Sequence, residues 1–328
     1  MGESQVLIIV PDPSSGGLIR RQLKEEGRAN TALFDCWEDF TYGPLVPTKT
    51  PEKLLRLRHR HWIRLESGVQ RPPERPALSW LLDRADRVEI MLGGTGREQL
   101  FLLGLSSMLG QPIDRGAGIE LFQFPVPTHR HSLGMNVGEL SEPPRPLIID
   151  PRLLARLDEH WHSVTSNMPH ALVEGMQKDD EPGLPYLKRG FASLLSSFPS
   201  SETGLGAAED SLLRALSKDW IAVARVVGTA MLDALDRHHT VIGDQILFAR
   251  LFGMADPNLP HPAVELRGDP REPRRREVRI TDFGLACLKG QENYVDHNGI
   301  DAWVGGVHLS SANGNMWFRD PDGNVVAK

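Results

Sequence analysis

The sequence predicts an α/β protein: an N-terminal Rossmann-like domain with a mainly parallel sheet and helices on both faces, then a mostly helical C-terminal domain of winged-helix-like order. Three observations carry this expectation. Short apolar runs alternate with helix-period segments throughout the first 126 residues, the pattern of βαβ units. Two of those runs, ending at Val10 and Leu92, empty into glycine-containing turns that open a helix. Beyond residue 147 helical stripes dominate, and three helices are followed by one hairpin pattern. The spacing therefore predicts domains over 1–146 and 147–328.

At 328 residues the chain is long enough for two cores. With 40% hydrophobic and 24% charged residues it is not globally disordered, and a net charge of -6 argues against non-specific coating of nucleic acid. Cys36 and Cys287 lie far apart without CxxC spacing, so neither a disulfide framework nor a cysteine-based zinc site is expected. No apolar run approaches the roughly 18 residues of a membrane span, and the first strand follows the start without a basic leader. The expectation is a cytoplasmic protein with no membrane partner.

Val6 to Val10 is a continuous apolar run, as in a strand buried on both faces, and Pro11 and Pro13 end it. Ser14, Ser15, Gly16 and Gly17 then read as a turn, with Leu18, Ile19 and Leu23 forming a helical face behind it. Free N–H groups at that helix start would attract an anion. Gly17 is followed by Leu18, so this is no Walker A loop, and GxGxxG spacing is absent as well. The plainer reading is a capped tight turn. Asp12 sits at the strand end, where open α/β sheets bind ligands. Thr31 to Phe34 reads as the second strand. The loop after it, from Asp35 to Leu45, combines Asp35, Glu38 and Asp39 with Trp37, Phe40 and Tyr42, either to wall a pocket or as an anchored surface loop.

Thr50-Pro51 starts a helix running to about Glu66, with Arg56, Arg58, His59, Arg60, His61 and Arg64 as a basic face that could receive an anion or simply be solvated. A Pro-rich link, 71–76, leads to a short helix at Ala77 to Arg84. Arg87 to Gly96 repeats the opening grammar, with Gly93, Gly94, Thr95 and Gly96 as turn and Leu100, Leu103 and Leu105 as the following stripe. Glu98 and Gln99 lie in the first turn of that helix, positioned to touch a ligand or, for Glu98, to complement the dipole. Gly118 to Phe124 is a further strand. Residues 128–146, with His129 and His131, read as a boundary or flap.

Pro151 opens a helix to about Val164 carrying His160, Trp161 and His162, with His170 beyond. None is paired at i,i+4, so no metal site is expected. Helices follow at Tyr186 to Phe198, around Leu212, Leu213 and Leu216 with Ser200 or Ser201 as cap, at Trp220 to Asp236, and at Gln245 to Phe252. Val264 to Leu266 and Glu277 to Ile280 pair as the hairpin, and Asp282 to Leu288 is the last helix. Arg267, Arg271, Arg274, Arg275, Arg276 and Arg279 outnumber Asp269, Glu272 and Glu277, a local excess that could meet phosphates. Only Gln245 and Arg250 on the preceding helix could read base edges, which weighs against DNA.

Gly299 to Leu309, GIDAWVGGVHL, and Trp317 to Asp320, WFRD, together with Gly243-Asp244 and the spacing of Thr281, Gly284, Leu288 and Gly290, resemble the bacterial domain of unknown function 3658. The strand ending at Asp12 and the acidic loop ending in Gly43-Pro44-Leu45 are similar to its usual partner, domain of unknown function 1835. The resemblance implies the two-part architecture and no particular chemistry. His308 is a candidate site member on this motif, or a packed, hydrogen-bonded histidine.

The functional expectation is an anionic or phosphorylated small molecule, with nucleotides among the candidates, bound at the carboxyl edge of the N-terminal sheet, with or without turnover. Ser14 to Gly17 and Gly93 to Gly96 would cradle the anion, Asp12 would orient a hydroxyl or act as base, and Glu38, Asp39 and Glu98 are the other acid/base candidates. Trp37, Tyr42 and Gln99 would line the pocket. No cofactor is specified. The alternative is a ligand-sensing regulator whose C-terminal domain contacts DNA or, in preference, a partner protein or second copy. A third reading is a scaffold without turnover.

Overall fold

Parallel pairing of four apolar runs builds the central element of a computed structural model that describes residues 5–28, 30–36, 38–48, 51–65, 77–125, 144–238 and 240–328. The chain divides into two compact units, Met1–Phe40 with Leu45–Ser166 and Lys178–Gly190, and Thr41–Pro44 with Asn167–Gln177 and Phe191–Lys328.

The first unit runs β1 (Val6–Val10), α1 (Pro13–Glu25), β2 (Thr31–Asp35), α2 (Pro51–Leu65), α3 (Leu78–Leu82), β3 (Arg87–Gly93), α4 (Gly96–Ser106), α5 (Gly110–Asp114), β4 (Gly118–Phe124), β5 (Leu147–Ile148) and α6 (Pro151–Thr165). The strands form a five-stranded sheet in the order β2-β1-β3-β4-β5. β1 pairs parallel with β2 from Val6↔Thr31 and with β3 from Val6↔Arg87, while β3 pairs parallel with β4 from Arg87↔Gly118. β1 and β3 therefore end at one edge. β5 is antiparallel to β4, with Leu147 opposite Leu121. Ile8, Val10, Ile19 and Phe124 form one apolar cluster, to which Leu23 of α1 and Leu33 of β2 add. α4 is buried on every side from Leu100 to Leu105, and α6 packs on it through a stripe that buries Leu153, Leu157, Trp161 and Val164.

That packing corrects the expected boundary. β5 and α6 continue the first unit beyond residue 146, because β4 pairs with β5 and the apolar run Leu100 to Leu105 of α4 needs a cover. The expected flap with His129 and His131, and the link at 71–76, lie outside the described residues.

The second unit contains α7 (His170–Gln177), most of α8 (Lys188–Ser197), α9 (Ala207–Arg214), β6 (Ile221–Ala222), α10 (Val223–His238), α11 (Asp244–Met254), β7 (Val264–Arg267), β8 (Glu277–Ile280), α12 (Asp282–Leu288), α13 (Tyr294–Asn298), β9 (Asp301–Val304), β10 (Val307–Ser310), β11 (Trp317–Arg319) and β12 (Val325–Ala327). The expected hairpin forms as β7 and β8, and β6 adds to it in the order β6-β8-β7. Trp220 does not open a helix, as its apolar neighbours would lead one to expect. It instead precedes β6, and α10 starts at Val223. α9 is capped by Gly206 rather than by Ser200 or Ser201; Ser200 bridges to Arg319 and Ser201 begins the turn after it. GIDAWVGGVHL is the β9-β10 hairpin, turning at Gly305 with φ 56. Among the described residues no helix is long and apolar enough to cross a membrane.

Candidate functional site

The carboxyl edge of the first unit's sheet gathers most of the residues expected there, but uses them differently. α1 starts immediately at Pro13, so Ser14 to Gly17 are its first helical residues and not an open turn. Asp12 is the N-cap. Its Oδ1 accepts from Ser14 N at 2.8 Å and Ser15 N at 3.0 Å, and its Oδ2 accepts from Ser15 Oγ at 2.7 Å. The donors expected to hold an anion are already satisfied by the protein's own carboxylate. Gly16 is needed for close packing, since a Cβ there would lie 2.4 Å from Asp35 Oδ2, whereas Gly17 faces open space.

The second junction is closed in the same way. Thr95 caps α4, and Glu98 reaches back to accept from Gly93 N at 2.8 Å, Thr95 N at 3.1 Å and Thr95 Oγ1 at 2.6 Å. Burial pushes the Glu98 carboxyl up, and those three donors pull against it. Gln99 Nε2 donates to Gly93 O at 2.9 Å, and Arg189 Nη1 donates to Gly94 O at 2.8 Å. Tyr186 lies flat against Gly94, where a Cβ would come within 2.8 Å of its ring. Gly93 to Gly96 thus form a capping box under an aromatic lid. Gly93 N and Thr95 N are thereby taken up, and Glu98 serves as the N3 partner of the cap.

The acidic loop is held by arginines that sequence reading did not connect to it. Asp35 pairs with Arg20. Arg58, from the basic face of α2, is fully buried; its Nε donates to Glu38 at 2.9 Å and its Nη2 to Asp39 O, while the guanidinium lies 4.9 Å from the Phe40 ring centroid. Phe40 in turn packs on Phe101 and Trp161. Arg97 Nε lies 3.4 Å from Asp39 Oδ2. Burial works against the Arg97 charge, but Asp39 and then Asp12 hold the guanidinium protonated above its ordinary range. Arg97 follows Gly96 directly in the sequence, and its i+3/i+4 neighbourhood gave no signal for these long-range partners.

Asp12, Asp39 and Arg97 therefore meet at the ends of β1 and β3, with Glu38 and Arg58 behind them. Trp37 lies outside the described residues. Tyr42 belongs to the second unit and lines a pocket there. Cys36, at the end of β2, is buried and its thiol is pushed up to about 12, so it is no nucleophile at neutral pH. Among the described residues no group of three or more His, Cys, Asp or Glu could hold a metal ion.

In the second unit the arginine excess is largely paired. Arg267 meets Glu277 at 2.7 Å, Arg279 meets Glu265 at 2.6 Å, Arg274 meets Asp244 at 3.3 Å, and Arg275 meets Glu272 at 3.1 Å. Asp244 and Glu265 were absent from the local sequence count. Trp220 is flanked by Arg267 and Arg279, at 4.5 and 4.6 Å. His308 stacks on Trp303 at 4.5 Å and its Nε2 lies 2.7 Å from Asp301, so it is a paired, partly exposed residue.

No family model matches the sequence, and no curated protein matches it. Among solved structures, the DNA-binding, cleavage and re-ligation domain of Plasmodium falciparum topoisomerase II aligns over 84% of this chain and 47% of its own, at 12% identity and a TM-score of 0.39. The chain spans about half of that structure, and a likeness of this size carries no functional argument.

Proposed function

We propose that the protein binds a hydroxyl-rich small molecule of the nucleotide or sugar-phosphate class at the carboxyl ends of β1 and β3, in a sheet that we read as Rossmann-like. One observation carries the reading: the buried carboxylates of Asp12 and Asp39 and the partly buried guanidinium of Arg97 gather beside the switch point of the order β2-β1-β3-β4, where open α/β sheets take ligands. Burying ionised groups is costly, and such sets are enriched at functional sites. Asp12 occupies the first N–H groups of α1, and Arg97, at the start of α4, supplies a cation to meet a ligand's phosphate. The two carboxylates favour hydroxyl donors and repel a bare anion.

The test is a thermal-shift and calorimetric panel of nucleotides, nucleosides, sugar phosphates and inorganic phosphate. A ligand at 100 times its Kd stabilises the folded state by about 2.7 kcal/mol. Hydroxylated ligands should shift the melting temperature and inorganic phosphate alone should not. Asp12→Asn keeps a good cap while removing the charge, and should weaken binding without unfolding the chain. A panel without any shift, or binding indifferent to Asp12→Asn, would overturn the proposal.

A second reading is favoured by the second unit. We read the order α9-β6-α10-α11-β7-β8 with pairing β6-β8-β7 as winged-helix-like, a module for a protein partner. On α11, the helix that would enter a groove, Phe248 and Phe252 lie beneath Arg274 and Arg276, at 5.7 and 5.8 Å. Aromatic rings and internally paired arginines suit base reading poorly. Sub-micromolar binding of duplex DNA at about 0.15 M salt would reverse that preference.

A further inference from the structure

We infer that the pocket of the second unit binds the zwitterionic head group of a small apolar α-amino acid, its carboxylate on Arg250 and its ammonium on Glu209. The pocket lies between the start of α9 and the faces of α11 and β9, and Tyr42, Trp303, Ile242 and Ile246 contribute its aromatic and aliphatic walls. It encloses about 30 Å³, near the space of two waters, within an open depression of about 400 Å³. The enclosed part takes the charged atoms that meet Arg250 and Glu209, and the open part takes the remainder of the molecule.

Two observations point to a ligand of this charge pattern. Arg250 is about three-quarters buried, and its solvent-shielded Nε is ion-paired with Glu209 but makes no well-aligned hydrogen bond among the described residues. Tyr42 covers one face of the guanidinium at 4.5 Å. Glu209 Oε1 lies 3.2 Å from that Nε, its side chain only 15% exposed. A guanidinium and a carboxylate so enclosed require hydrogen-bonding partners. An ammonium–carboxylate pair supplies both in one molecule and adds no net charge. The first turn of α9 assists: Gly206 caps it without a side chain, and Ala207 and Ala208 line the pocket. This site is independent of the one at the sheet edge.

The experiment is calorimetry on the full chain with leucine, valine and phenylalanine, alongside N-acetyl-leucine, which lacks the ammonium, and leucinamide, which lacks the carboxylate. At least one free amino acid should bind, and the N-acetyl and amide derivatives of whichever binds most tightly should bind at least tenfold more weakly than it does. Glu209→Gln should weaken the free amino acid about tenfold while sparing its N-acetyl derivative, a split that a purely structural role would not produce. Arg250→Gln should abolish binding of the free amino acid, and should that variant fail to fold, the derivative series and Glu209→Gln still decide. Absence of binding by all three amino acids at millimolar concentration, or equal binding of the tightest of them and its derivatives, would overturn the inference.

Discussion

Asp210 offers a direct measure of how much a buried charge network holds the second unit together. It lies on α9, where Arg214 Nε donates to its Oδ2 at 2.8 Å, and His238 and Arg237 from α10 approach to 3.7 and 3.9 Å. Burial pushes this carboxyl up, but the donors and charges of His238 and Arg214 outweigh it and bring the pKa from 3.8 down to about 2. A depressed carboxyl pKa means that the unfolded chain binds the proton more readily. Its stabilisation is therefore fully present above about pH 4 and is lost as pH falls towards 2. At about 1.4 kcal/mol per unit, the shift corresponds to roughly 2 kcal/mol at neutral pH. Asp210→Asn should lower the melting temperature by several degrees at pH 7, at about 2–4 °C per kcal/mol for a unit of this size. Urea denaturation of both proteins from pH 2 to 7 is the assay. The gap in stability should close between pH 4 and 2, and a gap constant across that range would refute the electrostatic account.

Two further predictions test the packing of the first unit. Gly17 is exposed within α1 with no atom near its absent Cβ, so Gly17→Ala should stabilise by about 0.5–1 kcal/mol, while Gly16→Ala must displace Asp35 and should destabilise by about 1–3 kcal/mol. Chemical denaturation of the two variants side by side reads the contrast, and equal effects would count against the close approach of α1 to β2. Arg58→Ala leaves Glu38 and the carbonyl of Asp39 without their buried donor and should cost about 3–5 kcal/mol, with Arg58→Lys recovering little because one ammonium cannot span both acceptors. Recovery of full stability by lysine would show that charge alone suffices there.

The sheet was legible because its code is local. Val6–Val10, Arg87–Leu92 and Gly118–Phe124 are each long enough to be strands and too short to be buried helices, and the helix after each of the first two starts at a cap within a few residues. β5 was not legible, since two residues pairing with β4 leave no period to read. Nor was β6, where Ile221 and Ala222 simply look like the first turn of α10. In both cases the strand exists because a neighbouring edge supplies its hydrogen bonds, a tertiary cause with no local trace.

The site residues show the complementary limit. Serines, glycines and carboxylates clustered at a strand-to-helix junction are what an anion site requires, and they are equally what a helix requires to cap itself. Sequence spacing cannot separate the two, because Asp12 to Ser15 and Thr95 to Glu98 satisfy both patterns. The structure separates them by asking where each donor goes: the N–H groups of Ser14, Ser15, Gly93 and Thr95 all end on Asp12 or Glu98. A further mark of a ligand group at such an edge is a cation held against burial without serving the backbone. Arg97 meets that criterion in the first unit and Arg250 in the second, and neither stood out in sequence because the carboxylates that hold them, Asp39 and Glu209, lie 58 and 41 residues away along the chain.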